Sequence, residues 1–254
     1  MTAAQLWRDE LAAWAIPADI LAAAPESPWG FPVEAFPAEA SPTVDSPSRA
    51  CALEALASSG DVLDVGCGGG AASFALVPPA RSVTGVDASP EMLQAYAAEA
   101  KRRHVEHREV VGNWPEVVGQ VDVHDVVVCH HVFYNVAELP TFALALTAKA
   151  RHRVVVEMTA THPLADTAPL WRHFHGVDRP TGPTADLAID VLVEAGMRLS
   201  YERWQRPPRG IPREVLVAMN RRRLCLPKSA EPEVDRLMGD LARPREMVTM
   251  CWDD

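Results

Sequence analysis

The chain has 254 residues, with 34 acidic groups against 24 basic ones and a formal net charge of −10. That length can bury a full core without staples, and 48% apolar with 23% charged residues excludes disorder or a collagen-like repeat as whole-chain readings. The longest charge-free run, Val65–Ala80, is broken by Gly and Pro, so no stretch reaches the roughly 20 apolar residues a membrane span needs; an acidic chain also gains little from counterion release on nucleic acid.

Thr2 can cap a first helix in which Leu6, Trp7, Leu11 and Trp14 share one side. Arg8, Asp9 and Glu10 stand where a signal peptide would need an apolar core. A short helix follows Pro17, and then Pro25, Pro28, Pro32, Pro37 and Pro42 punctuate a segment holding Trp29, Phe31 and Phe36. Proline on this scale forbids regular structure, while aromatics demand burial. Residues 1–45 are therefore expected to be an ordered strap forming part of a cap, with residues 46–254 as the main domain.

In that domain, Ser46 and Pro47 open a helix to about Ala57. Strands are predicted at Val62–Val65, Ser82–Val86, Val105–Val111, Asp125–Cys129 and Arg153–Glu157. Helices are expected from about Ala71, from Ser89 and Pro90, and over Glu138–Ala150. This alternation implies right-handed crossovers and a mostly parallel sheet covered on both faces, an α/β fold. Residues 159–183 read as an irregular insertion. After it come a helix at Asp186–Ala195, a strand at Arg198–Trp204, helical patterns at about 213–224 and 231–242, and a strand at Glu246–Trp252 that returns antiparallel. The insertions at about 159–183 and 205–245 are assigned to the cap.

Five cysteines (Cys51, Cys67, Cys129, Cys225, Cys251) are odd in number and widely spaced, without Cys-x-x-Cys. They predict a reducing cytoplasm, with neither a disulfide framework nor a structural zinc. The Arg221–Arg223 run is expected to be a solvated helix face, the alternative being an anion contact.

The central motif is Asp64-Val-Gly66-Cys67-Gly68-Gly69-Gly70, after a strand and before a helix. Glycines let the chain turn sharply and let a ligand approach the backbone. Gly66-x-Gly68-x-x-Ala71 also satisfies a dinucleotide fingerprint, and Asp87 fits a ribose contact in either reading. Asp64 separates them, because a carboxylate aimed at that turn repels phosphate and suits an ammonium or sulfonium ligand.

VLDVGCGGG followed by GVDASPEML resembles the class I S-adenosylmethionine-dependent methyltransferases, over about residues 46–160. The resemblance implies a Rossmann-like doubly wound sheet of seven strands with the last antiparallel. It also implies S-adenosyl-L-methionine as cosubstrate and S-adenosyl-L-homocysteine as product. The cofactor residues it implies are Asp64, Gly66, Cys67, Gly68, Gly70, Asp87, Ala88 and Met92, then Gly112, Asn113 and Trp114 at the adenine, and Cys129. Asn113 stands where the family commonly has Asp, and its amide oxygen can still accept from the adenine amino group. Arg49 is a candidate for the cofactor carboxylate, with a surface role as the alternative.

Methyl transfer from a sulfonium needs a nucleophile held in line and water excluded; a base helps when the acceptor is a hydroxyl. His131 is the candidate base and His130 the alternative, both ending the fourth strand. Glu157 is a substrate-binding or base-orienting candidate, or a loop ion pair. Trp29, Phe36, Tyr134, His162, Trp171 and His173 are candidates for the acceptor pocket. His173-x-His175 with a strand-end histidine is weighed as a metal site and set aside. The expected protein is a cytoplasmic enzyme methylating a small molecule, a hydroxyl being preferred, with no nucleic-acid or membrane partner; the oligomeric state is not legible. The rivals are a non-catalytic S-adenosylmethionine-binding protein, an NAD-dependent oxidoreductase and an RNA methyltransferase.

Overall fold

The computed structural model describes residues 1–29, 45–56, 59–208, 210–239 and 244–253. Its centre is a seven-stranded sheet in the order β3-β2-β1-β4-β5-β7-β6. The strands are β1 (Asp61–Val65), β2 (Ser82–Asp87), β3 (Glu106–Val111), β4 (His124–His130), β5 (Ala150–Thr159), β6 (Ser200–Arg206) and β7 (Arg245–Asp253). β1 to β5 are parallel, and β7 runs antiparallel between β5 and β6. The mostly parallel sheet expected from the strand–helix rhythm, in the Rossmann-like seven-stranded arrangement that the resemblance implies, is thus the fold.

The helices are α1 (Ala3–Ala12), α2 (Ala18–Ala22), α3 (Pro47–Ala55), α4 (Ala71–Phe74), α5 (Pro90–Arg102), α6 (Leu139–Thr147), α7 (Ala168–His175), α8 (Ala185–Glu194), α9 (Arg213–Arg223) and α10 (Glu231–Leu237). Local chemistry starts several of them. The hydroxyls of Thr2, Ser46 and Ser89 accept from the backbone N–H of Gln5, Arg49 and Met92, satisfying amides that a helix leaves open.

β1 and β4 are buried on both faces, as central parallel strands must be. Leu63, Val127 and Val156 pack with α1, α6 and α8 on one face; Val62, Val126 and Val155 pack with α3, α4 and α5 on the other. A third cluster joins Ile20 of α2, Trp171 of α7, Leu224 beside α9 and Val234 of α10. No helix among the described residues is long and apolar enough to cross a membrane.

Three expectations are corrected. The 159–183 insertion is not wholly irregular, because α7 lies within it. Its Leu170 and Trp171 are buried against the third cluster, a tertiary reason invisible in a proline-bearing stretch. Arg221 is not on a solvated face: it is 4% exposed and bonded to Glu26 and, at 3.3 Å, to Glu231. Cys51 of α3 and Cys251 of β7 form a disulfide, since α3 lies across β5 and β7 and closes a sequence gap of 200 residues. The cysteine count therefore no longer argues for a reducing compartment. α1 is tied to the main core: Trp7 is fully buried and its indole N–H donates to the Val136 carbonyl at 2.7 Å.

Trp7→Ala should therefore cost roughly 3–5 kcal/mol, read as a fall in the urea midpoint with unchanged slope. A cost below about 1 kcal/mol would mean that α1 is peripheral.

Candidate functional site

Parallel strands bring their carboxyl ends to one edge, where ligands bind in open α/β sheets. Side chains alternate along a strand, so Asp64, His130 and Glu157 follow Val62, Val128 and Val155 onto the face packed by α3 and α4. The register places Asp64 beside Val128, and His130 directly beside Glu157. Three titratable side chains from separate parts of the chain are thereby set along one line.

Past β1 the backbone turns through Gly66 (φ +71°) and Gly68 (φ +49°). A β-carbon on Gly66 would come within 2.3 Å of Val132, whereas the same position on Gly68 meets nothing among the described residues within 4 Å. Gly66 is thus required by packing, and Gly68 leaves open space beside the backbone. The N–H groups of Gly66 and Cys67 donate to the Val86 carbonyl at 2.8 and 3.1 Å. Gly68 N–H donates to Asp87 Oδ2 at 2.9 Å, and Ser89 N–H to Asp87 Oδ1 at 2.9 Å. Gly112 N–H donates to the Asp87 carbonyl at 3.0 Å, bringing the loop after β3 alongside.

Asp64 is buried and accepts from Ser73 Oγ at 2.8 Å and Ser73 N–H at 3.2 Å. Burial pushes its carboxyl up to about 6, against the opposing pull of Ser73 and His130. Cys67 and Cys129 are buried thiols whose pKa burial raises, so both remain protonated.

The second half of the site gathers on Glu157. The Ser48 hydroxyl, from α3, donates to Oε2. His131 Nε2 lies 3.3 Å from Oε1, and Arg206 Nη1 lies 3.9 Å from it. Burial alone would raise this carboxyl; the His130 and His131 imidazoles and the Ser48 hydroxyl outweigh it and hold it below the usual carboxylate range. His131 leaves the strand with φ +63°, and its N–H donates to the Glu157 carbonyl at 2.7 Å. His130 Nε2 is buried with no hydrogen-bond partner among the described residues. Sequence reasoning missed Ser48 and Arg206. Ser48 reads as one more first-turn serine, and Arg206 lies beyond the predicted end of its strand.

The other candidates fall in different places. Asn113 and Ala88 are exposed near the strand ends, and Met92 is half-buried in the first turn of α5. Trp114 donates to the Phe142 carbonyl at 3.3 Å and packs on the main core. Arg49 donates to the Ala75 carbonyl at 2.9 Å and pairs with Asp45 at 3.3 Å, so it serves the end of α4. Tyr134 donates to the Thr159 carbonyl at 2.8 Å and stacks on Trp7, which makes it a core residue. His162 is stacked on Trp14 at 3.9 Å; burial, Arg179 and Arg223 push it down to about 3, so it stays neutral. Trp171 lies in the third cluster beneath the Arg179 guanidinium.

His173 does not line a closed pocket: it is exposed and pairs with Glu233 at 2.9 Å. Trp29 is 60% exposed, so the described side chains do not bury it. Phe36 lies outside the described residues. Among the described residues no three His, Cys, Asp or Glu side chains are grouped to hold a metal, and His175 faces the Leu224 carbonyl at 2.7 Å.

Residues 62–152 match the family model described as a methyltransferase domain. The YcgJ protein of Bacillus subtilis is similar in structure, with 15% identity, 82% of this chain and 97% of that one covered, and a TM-score of 0.55. A putative sarcosine dimethylglycine methyltransferase of Galdieria sulphuraria has 13% identity, coverage of 79% and 80%, and a TM-score of 0.55. Coclaurine N-methyltransferase, bound to N-methylheliamine and S-adenosylhomocysteine, has 13% identity, coverage of 99% and 94%, and a TM-score of 0.54. At such identities the likeness is one of fold. No curated protein sequence matches the chain.

The raised carboxyl of Asp64 has a consequence for stability. Between its ordinary pKa of 3.8 and about 6 the folded chain holds a proton that the unfolded chain releases, so stability falls as pH rises through that window. Asp64→Asn should be more stable than the parent at pH 8, by about 3 kcal/mol. The gain should vanish below pH 4, as read from urea unfolding at the two pH values.

Proposed function

We propose that this chain, whose residues 62–152 match a methyltransferase-domain model, is a class I S-adenosylmethionine-dependent enzyme that methylates a small-molecule acceptor on a hydroxyl. The observation that carries the hydroxyl is the Glu157–His131 contact at the ends of β4 and β5. A thiolate or neutral amine needs no such base; a hydroxyl gains from one.

The cradle fits the cosubstrate, with open space at Gly68, a carboxylate at Asp64 and another at Asp87. When bound, S-adenosylmethionine supplies a methyl already activated on sulfonium sulfur. Asp64 would face the cosubstrate's ammonium, Asp87 the ribose hydroxyls, exchanging its Gly68 contact for them, and Asn113 and Met92 the adenine. His131 takes the acceptor proton at Nε2 while the adjacent Glu157 carboxylate stabilises the imidazolium. His130 offers its unpartnered Nε2 to the acceptor or cosubstrate. Residues 1–45, 159–183 and 205–245 would cap the site and exclude water.

Several observations weigh against the rivals. A buried carboxylate under the glycine turn disfavours a dinucleotide pyrophosphate. Arg221, the first residue of the Arg221–Arg223 run, is committed to carboxylates of this chain, which disfavours RNA. The neighbour bound to N-methylheliamine supports a small acceptor and keeps an amine acceptor as the second reading.

Incubation with labelled S-adenosylmethionine and a metabolite extract should label a small molecule. His131→Asn should then lose about 10²–10⁴-fold in turnover while binding S-adenosylhomocysteine as before; unchanged turnover removes His131 as the base.

Cosubstrate affinity should be flat above pH 6 and fall about tenfold per unit below it, because binding the ammonium requires Asp64 to shed its proton. Calorimetry with S-adenosylhomocysteine checks this, and Asp64→Asn should abolish the pH dependence.

A further inference from the structure

We propose that Arg206, the last residue of β6, fixes the protonation state of His131 and is a positioning residue for the methyl-transfer site. Its Nη1 lies 3.0 Å from His131 Nε2. A guanidinium has donors only, so this contact requires a lone pair on Nε2, hence a neutral ring with its proton on Nδ1. Glu157 Oε1 lies 3.3 Å from the same nitrogen and, being ionised, accepts only. One nitrogen cannot serve both partners at once.

His131 therefore has two arrangements. Neutral, it accepts from Arg206 at Nε2; protonated at Nε2, it donates to Glu157 and the guanidinium withdraws. Arg206 is 14% exposed at its side chain and 3.9 Å from Glu157, so its charge stands in a poorly solvated place and disfavours a second cation beside it. Among the described contacts, the groups facing the imidazole are Glu157 from β5, Arg206 from β6 and the His130 ring from β4, 6.5 Å away, with Ser48 of α3 acting through Glu157. β7, between β5 and β6, presents the uncharged Thr249 opposite Glu157.

The acceptor hydroxyl would displace Arg206 from Nε2. Its proton then passes to that nitrogen as the oxygen takes the methyl, and the new N–H is left beside Glu157. This consequence rests on the proposed methyl transfer; the protonation state itself does not.

The test is long-range ¹H–¹⁵N correlation of the histidine rings in the full chain, with His131 assigned by its loss in His131→Asn. Above neutral pH the parent should show the Nδ1–H tautomer. Arg206→Met should switch it to Nε2–H and raise its titration midpoint by about one pH unit or more; Arg206→Lys should restore the parent tautomer. Glu157→Gln should keep Nδ1–H and lower the midpoint, which holds the test open if Arg206→Met fails to fold. The same tautomer and midpoint in the parent and Arg206→Met, or an Nε2–H parent, overturns the proposal. Turnover by His131→Asn would instead refute the base and leave this result standing.

Discussion

Glu157 keeps a negative charge almost wholly out of water, and the site is arranged around that constraint. An isolated buried carboxylate would protonate, because desolvation penalises the charged form. Here the strand register sets His130 alongside, the β4 turn brings His131 back, α3 supplies Ser48 and β6 supplies Arg206. β4, the turn after it, α3 and β6 are thus tied to one carboxylate on β5. The antiparallel insertion of β7 between β5 and β6 is what lets β6 end near the carboxyl ends of the parallel strands.

The elements added to the common sheet are held by a different kind of contact. Tyr134 stacks on Trp7 and meets the edge of His162; His162 stacks on Trp14; Arg179 lies over both Trp14 and Trp171. That column runs from α1 to α7 without a break. It joins the main core to the third cluster, where α2, α7, α9 and α10 meet. His162 can take part only while neutral, and burial together with the nearby guanidiniums keeps it so.

The strands and most helix starts were legible because their signals are local: apolar runs bounded by glycine, and Ser-Pro pairs that cap and begin a helix. The glycine loop and its two acids were legible for the same reason. What escaped is long-range. Arg221 looks solvated in a run of three arginines, yet Glu26 lies 195 residues away in sequence and beside it in space. Cys51 and Cys251 look unrelated until α3 is laid on β7. Arg206 and Ser48 carry no motif, and their relation to Glu157 exists only once the sheet is ordered. His173 failed for the converse reason: a histidine near a predicted pocket is positioned by its helix face, which α7 turns outward.

The two halves of the site treat their carboxylates in opposite ways. Glu157 is compensated within the protein and stays ionised; Asp64 is not fully compensated, and burial lifts it to about 6. An uncompensated buried acid lowers stability at neutral pH, yet it is the group that gains most from an incoming cation, since pairing relieves a desolvation already incurred. On this reading a destabilised Asp64 holds binding energy in reserve for an ammonium, while a satisfied Glu157 holds His131 in place. Compensating Asp64 with a second donor would make a sturdier fold and a weaker cradle.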